Sequence, residues 1–139
     1  MLLSMSERNS FSFNKEEKII GDNRIDNLFK NGKSFLSFPL RVVYLKTDYS
    51  LQSSISVLIS VPKKRIKNAV KRNRIKRQVR EAYRLNKQYL NSITEKIGCH
   101  LDIAFVFVKD EMIDYSAIEK GMRKGLTEII NKLSSNKEE

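Results

Sequence analysis

The segment that most restricts the fold of this chain is NAVKRNRIKRQVREAYR, which runs from Asn68 to Arg84. At about 100° of rotation per residue, mostly apolar side chains of this segment and of the next few residues fall on a single arc. Those side chains are Ile75, Val79, Ala82, Tyr83, Asn86 and Leu90. The pattern predicts a helix from about Ala69 to Leu90, capped by Asn68, whose apolar arc packs on the rest of the domain.

The adjoining arc of the same helix is polar, and we call it the basic ridge. It consists of Asn73, Lys76, Arg77, Arg80, Arg84 and Lys87, with Arg72 at the margin of the buried arc and Arg74 on the far flank. A surface helix stabilised by ion pairs carries acids three or four residues from its bases, but Glu81 is the one acid available here. Repulsion between like charges at this spacing costs about 0.2–0.5 kcal/mol per pair, and a bound polyanion would remove that cost.

The excess positive charge of the chain is confined to one segment. Between Lys63 and Lys87 there are twelve basic residues and one acid, whereas the whole chain has 27 basic and 16 acidic residues and a net charge of +11. The rest of the chain therefore holds 15 of each kind and has no net charge. Charge that is concentrated against a neutral background indicates a binding site for a polyanion, either nucleic acid or an anionic membrane.

The sequence around the basic helix predicts one small sheet and two further helices. Ile25, Leu28 and Phe29 recur at helical spacing, which predicts a short helix over residues 22–31 that ends at Gly32. Strands are predicted near residues 34–35 and over 40–46, 55–61 and 101–108, with a hairpin loop over 48–52 and a last helix over 115–133. The fold class is therefore α+β, a small sandwich in which a sheet of about four strands packs against helices in the order α-β-β-β-α-β-α.

Length and composition predict a single domain over residues 13–133, with flexible tails over residues 1–12 and 134–139. No apolar run approaches the roughly 18 residues of a membrane span, and the first residues do not resemble a signal peptide. We therefore expect a cytoplasmic protein. Cys99, the single cysteine, can form no internal disulfide and is expected to be a small structural residue at the start of a strand.

The order of residues in KNAVKRNRIKRQVREAYR, including the central Arg72, Asn73 and Arg74, resembles the signature segment of the bacterial ribonuclease P protein family. LFKNGKSF followed by PLRVVYL resembles that family's first helix and early strands, and ISVPKK resembles the segment that leads into the family's basic helix. The resemblance extends from Phe13 to Val108, and the last helix agrees in pattern only.

The resemblance implies a fold like domain 2 of ribosomal protein S5, with a left-handed crossover through the basic helix. The pattern alone would favour a right-handed crossover, the hand of about 98% of such units. The resemblance also implies that the protein binds a catalytic RNA and the 5′ leader of precursor tRNA, and that the RNA, with its bound Mg²⁺, removes the leader. Outside this complex the protein is expected to be a monomer, without a membrane partner.

The resemblance also implies which residues contact RNA, namely Arg72, Asn73, Arg74, Lys76, Arg77 and Arg80. On physical grounds Lys63, Lys64 and Arg65 extend the same positive field, and Arg84 and Lys87 extend the ridge. In the family, single-stranded bases of the leader rest in a cleft with aromatic and apolar side chains, and the matching positions here are Ile25, Phe29 and Val43. Two of these, Ile25 and Val43, stand where aromatic residues are common, so the alternative stacking residues are Phe35, Phe38 and Tyr44.

The sequence does not predict a catalytic centre made of protein side chains. A phosphodiesterase needs a general base, or carboxylates that hold metal ions about 4 Å apart. His100 precedes a buried strand and is expected to be structural, and Asp110, Glu111 and Asp114 are expected to lie in a solvated loop. Two classes of protein remain open: a subunit of a tRNA-processing ribonucleoprotein, and a non-catalytic RNA- or DNA-binding protein of the ribosomal or nucleoid type.

Overall fold

The computed structural model describes residues 19, 22–47 and 55–135, so the predictions for residues 1–12, for the loop over 48–52 and for residues 136–139 of the C-terminal tail lie outside the described residues. The elements are, in chain order, helix α1 (Asp22–Asn31), strands β1 (Lys33–Ser37), β2 (Leu40–Thr47) and β3 (Ile55–Ser60), helices α2 (Ala69–Asn86) and α3 (Gln88–Ile97), strand β4 (His100–Phe107) and helix α4 (Tyr115–Ser135). The α+β class and the predicted order are confirmed, with α3 as an additional helix.

The four strands form one sheet in the order β1-β2-β4-β3. Strand β2 is antiparallel to both β1 and β4, and β3 is parallel to β4. The predicted hairpin between β2 and β3 is therefore wrong. Strand β4 lies between β2 and β3. Its side chains are nearly all buried, as is typical of a strand inside a sheet. The chain passes from β3 to β4 through α2 and α3, and the hand of this crossover stays a prediction.

The larger core lies between the sheet and the helices α2 and α4. Alternate strand residues such as Val42 and Ile103 point to this side and meet the apolar arc of α2, including Ile75. The ring of Tyr83 on α2 lies 5.8 Å from the ring of Phe105, centroid to centroid. Helix α2 contacts β3, whereas α4 contacts β1 and β2, so the two helices cover opposite halves of the sheet.

Helix α1 covers part of the other face of the sheet. Leu28 is fully buried there against Val43 and Ala104, and Ile25 packs at the edge of this smaller cluster. These contacts follow from the amphipathic pattern of α1, which places its apolar residues on one side.

A buried carboxylate also fastens α1 to the central strand. Asp102 of β4 is fully buried and accepts a hydrogen bond from Arg24 Nη2 at 2.7 Å. His100 Nε2 donates to the same oxygen, Asp102 Oδ1, at 3.0 Å. His100 is itself 4% exposed, as expected of a residue at the start of a buried strand. The face of the sheet beneath α1 is therefore held by one apolar cluster and one polar network.

The basic helix ends earlier than its periodicity predicts. Helix α2 ends at Asn86 and α3 begins at Gln88. The side-chain amide of Asn86 donates at 2.7 Å to the carbonyl oxygen of Ala82, which is the oxygen that the Asn86 backbone N–H would use in a regular helix. The helix is interrupted at Lys87, directly after this contact. The prediction that α2 reaches Leu90 is therefore wrong, since Leu90 belongs to α3.

Candidate nucleic-acid interface

The basic ridge is an accessible surface along most of α2. Asn73, Arg77 and Arg80 are exposed, and Lys76 and Arg84 are half-buried. From Asn73 to Arg84 the ridge spans about 16 Å, at 1.5 Å per residue. Within the described part of the chain, Arg77 and Arg80 have no acidic partner within 4.0 Å. The centre of the ridge therefore presents positive charge that no acid of the described residues neutralises.

Arg84, at the end of the ridge, is held by an acid of the same helix. Its Nη2 and Nε atoms donate to the two carboxylate oxygens of Glu81 at 2.6 and 3.1 Å. This hydrogen-bonded contact lowers the pKa of Glu81 and raises the pKa of Arg84. Arg84 can meet an RNA phosphate only in competition with Glu81, so we assign it a smaller share of binding than Arg77 or Arg80.

Lys87 does not extend the ridge, and the expectation that it does is wrong. Its side chain is buried, with 3% exposure, and its Nζ lies 6.0 Å from the centroid of the Tyr83 ring. Lys87 is the residue at which α2 ends and α3 begins. Lys87 therefore packs beside the core, where a bound RNA cannot reach it without a change in structure.

The central Arg-Asn-Arg triplet divides into a structural residue and two exposed ones. Arg72 Nη1 donates to the backbone carbonyl oxygens of Ile66 and Lys67, at 3.0 and 2.8 Å. It is half-buried, as its place at the margin of the apolar arc predicts, whereas Asn73 and Arg74 are exposed. Arg72 thereby ties the loop that precedes α2 to the first turn of that helix.

This preceding loop, residues 61–68, carries the predicted extension of the positive field. Lys63 and Lys64 are exposed, and Arg65 Nη1 forms a surface ion pair with Asp110 at 3.0 Å. The predicted cap is confirmed, because the Asn68 side chain accepts a hydrogen bond from the Lys71 backbone N–H at 3.0 Å. The first turn of α2 contains no acid, so the partial positive charge of the helix N-terminus adds to that of the loop.

We call the surface between α1 and the exposed residues of the same sheet face the groove, and it is the position of the predicted leader cleft. Phe29 stands at its edge and is 46% exposed, and Ile25 is half-buried. Val43 does not line the open groove, because Leu28 and α1 cover it and leave it 4% exposed. It supports the groove from beneath, which corrects its predicted role as a contact surface.

The alternative stacking residues lie elsewhere. Phe35 pairs with Val42 in the register of β1 and β2, and both therefore face α4, on the opposite side of the sheet from the groove. The ring of Tyr44 lies on that same side, 6.1 Å from the ring of Phe35. Phe38, in the turn between β1 and β2, is 56% exposed. The structure thus removes Phe35 and Tyr44 as groove residues.

Two residues of the groove face were missed in the sequence. Leu36 of β1 and Arg41 of β2 are directly opposite each other, on the same face as Val43, and both are exposed. The alternation of side chains along a strand would have placed Arg41 beside Val43, two residues away. It could not place Leu36, because that requires the register between β1 and β2.

The acidic loop after β4 does not form a metal site. Asp110 pairs with Arg65, and Glu111 pairs with Lys109 at 3.3 Å. Over residues 19, 22–47 and 55–135, no three His, Cys, Asp or Glu side chains lie close enough together to hold an ion. Among the helices that the structure describes, none is long and apolar enough to cross a membrane.

The fold and the surface together define a class: a small α+β domain with a positively charged helix face suited to a polyanion. Comparison with known proteins gives the family. Residues 13–130 match the Ribonuclease P family. The chain is 41% identical over 132 residues to the ribonuclease P protein component of Porphyromonas gingivalis, which covers 95% of this chain and 96% of that protein. The chain belongs to the ribonuclease P protein family.

Other relatives agree with this assignment. The ribonuclease P protein component of Clostridioides difficile is 32% identical over 112 residues, 80% of this chain and 90% of that protein. The structure of the Staphylococcus aureus RNase P protein has a similar fold, with a TM-score of 0.60 at 24% identity, over 84% of this chain and 96% of that one. As a member of this family, the chain is the protein part of an endoribonuclease complex that acts in tRNA processing and has an RNA partner.

Proposed function

We propose that this protein binds the catalytic RNA of ribonuclease P through the basic ridge and the loop before it. We further propose that the groove between α1 and the sheet receives the 5′ leader of precursor tRNA. The observation that carries the proposal is the pair of exposed arginines, Arg77 and Arg80, which lack an acidic partner in the described chain. A planar guanidinium can hold a phosphate with two hydrogen bonds or stack on a base, so these arginines suit RNA.

The division of labour follows from what the protein side chains can and cannot do. The ridge and the loop supply positive charge that offsets repulsion between RNA phosphates, and the groove supplies a surface for unpaired bases. The Mg²⁺ that stabilises charge in phosphodiester cleavage is proposed to be held by the RNA, in the cytoplasm, where precursor tRNA is processed. Protein side chains are proposed to bind and position the two RNAs, not to transfer protons.

The proposal predicts stimulation of cleavage by the catalytic RNA. The purified protein should increase the rate at which a bacterial ribonuclease P RNA cleaves precursor tRNA at low Mg²⁺, because protein cations then replace part of the metal requirement. The measurement is single-turnover cleavage across a Mg²⁺ titration, with and without protein. The stimulation should shrink as Mg²⁺ rises.

The result that would overturn the proposal is an absence of stimulation at every Mg²⁺ concentration, together with normal binding to duplex DNA. That outcome would favour the other class of protein left open by the sequence, a non-catalytic binder of RNA or DNA. A catalytically inactive RNA serves as the control for contaminating nucleases.

The groove makes a second prediction through Phe29. Replacing Phe29 with Ala should weaken binding of precursor tRNA to the reconstituted complex by about tenfold, since stacking is worth about 1–3 kcal/mol per base. Binding of mature tRNA, which lacks the leader, should not change. Equilibrium binding measurements with precursor and mature tRNA give the ratio of the two affinities directly.

A matched control is Tyr89→Ala, which removes an aromatic ring that is 68% exposed on α3, away from the groove. This variant should leave the ratio between precursor and mature tRNA unchanged. An equal loss of affinity for both tRNAs in the Phe29 variant would show that Phe29 supports the fold of α1 instead of the leader.

A further inference from the structure

A second surface with an unexplained composition lies at the β1 edge of the sheet. Leu36 is 58% exposed and Phe38 is 56% exposed, and they border an open cavity of about 410 Å³ together with Lys120 and Lys124 of α4. Glu128 lies in the same lining and pairs with Lys132 at 3.7 Å. We call this surface the edge site, and it consists of Leu36, Phe38, Lys120 and Lys124.

The edge site is held rigidly, although its exposed side chains do not contribute to the core. Ser37 Oγ donates to the carbonyl oxygen of Gly121 at 2.7 Å, and the Val108 backbone N–H donates to the carbonyl oxygen of Pro39 at 3.0 Å. At Gly121 a Cβ atom would lie 2.6 Å from the carbonyl oxygen of Phe38, so only glycine allows α4 to approach this turn so closely. The Phe38 ring is therefore presented to solvent from a turn fastened on both sides, with Lys109 Nζ 5.6 Å from the ring centroid and the ring 56% exposed.

The charge of the edge site is also uncompensated. Lys120 and Lys124 are exposed one helical turn apart, and within the described ranges neither has an acid within 4.0 Å. Like charges at this spacing repel each other in the free protein. An exposed aromatic ring beside two unpaired lysines offers a face for a base and cations for its flanking phosphates. That chemistry fits single-stranded nucleic acid better than an apolar or a basic partner.

The edge site is continuous with the groove beneath α1. Leu36 lies on the groove face, directly opposite Arg41, and it also borders the cavity beside α4. Strand β1 is at the edge of the sheet, and among residues 22–47 and 55–135 no further strand separates the two surfaces. A single strand of RNA that lies in the groove could therefore continue past Arg41 and over Leu36 to reach Phe38.

We propose that the edge site binds the upstream nucleotides of the same 5′ leader, with a base on Phe38 and phosphates at Lys120 and Lys124. This inference rests on the proposed function, because it extends the path of the leader that the groove receives. It gives the protein a leader-binding surface on two sides of β1. Long leaders therefore gain contacts that short leaders lack.

The test compares leaders of two lengths on the reconstituted complex. A precursor tRNA with a leader of about 10 nucleotides and one with about 2 nucleotides are measured beside mature tRNA, since single-strand sites span roughly 4–16 nucleotides. Phe38→Ser should weaken binding of the long leader by about tenfold and leave the short leader and mature tRNA unchanged. The double variant Lys120→Ala and Lys124→Ala should reduce the slope of log affinity against log salt for the long leader by about 1.4, because each phosphate contact contributes about 0.7.

Each outcome decides between distinct explanations. If the wild-type complex binds precursor and mature tRNA equally, the proposed leader function itself fails. If the wild type prefers long leaders but Phe38→Ser and the lysine variant keep that preference, the edge site is not the cause and this inference is overturned. Equally weakened binding of all three tRNAs would show that the edge site contacts another part of the complex instead of the leader. Loss of self-association in sedimentation, with unchanged tRNA binding, would assign it to a second copy of the chain.

Discussion

Asp102→Ala is expected to lower the free energy of unfolding by about 3 kcal/mol. Asp102 is fully buried, and its Oδ1 accepts hydrogen bonds from Arg24 and His100. Removing one partner of a buried ion pair is strongly destabilising and costs about 3–5 kcal/mol. We expect the lower end, because Arg24 is 24% exposed and can recover some hydration. For a domain of this size the melting temperature should fall by about 10 °C.

The matched control is Asp110→Ala, which removes an aspartate–arginine pair on the surface. Asp110 is 73% exposed, and its pair with Arg65 should contribute less than about 1 kcal/mol. Chemical denaturation of both variants measures the difference. Hydrogen exchange of the Asp102 variant should show faster exchange in α1, since Arg24 fastens that helix to β4. Equal stabilities of the two variants would contradict a structural role for the buried network.

Arg77→Ala combined with Arg80→Ala is expected to weaken binding of the catalytic RNA by about 100-fold. Each arginine is exposed, and neither has an acidic partner in the described residues. A hydrogen bond to a charged group contributes about 1.5–3 kcal/mol, so two such contacts account for about 3 kcal/mol or more. The slope of log affinity against log salt should become shallower by about 2. The free protein should melt at an unchanged or slightly higher temperature, because like charges on α2 are removed.

The segment from Lys63 to Lys87, which holds the net positive charge, also contains a residue suited to a control experiment. Lys87→Met removes a positive charge from the same segment, but the side chain is 3% exposed and packs beside Tyr83. The salt dependence of RNA binding by the Lys87→Met variant should match that of the wild type, even if the stability of the variant changes. If Lys87→Met lost as much affinity per charge as the arginine variant, then net charge alone would govern binding and the exposed ridge would have no special role.

Local patterns in the sequence were reliable where a single element determined the outcome. The bounds of α1, the burial of Ile75 and Tyr83 and the Asn68 cap all follow from spacing along one helix. Helix α3 was missed, although Leu90 and Ile93 are three residues apart and Gly98 follows as a cap with φ of 78°. The continuous apolar arc hid the break, because Leu90 is in phase with α2 as well.

The candidate site was predictable only in part, for the same reason. Exposed positions such as Arg77 and Arg80 follow from the wheel, since they lie outside the buried arc. Lys87 is buried where α2 ends, beside the Asn86 side chain, which donates to the Ala82 carbonyl oxygen and can compete there with the backbone. Periodicity contains no information about that competition.

The amino-acid sequence by itself determined that the net positive charge lies in the segment from Lys63 to Lys87, that an apolar arc of the helix in this segment is buried, and that the chain combines strands and helices in an α+β order. Tertiary structure alone decided which distant residues meet. It placed β4 between β2 and β3, joined Arg24 to Asp102 across 78 residues of chain, and brought Leu36 beside both the groove and α4. The physical reason is that helix and strand periodicity act over a few residues, whereas strand order and register depend on how the whole apolar surface is buried.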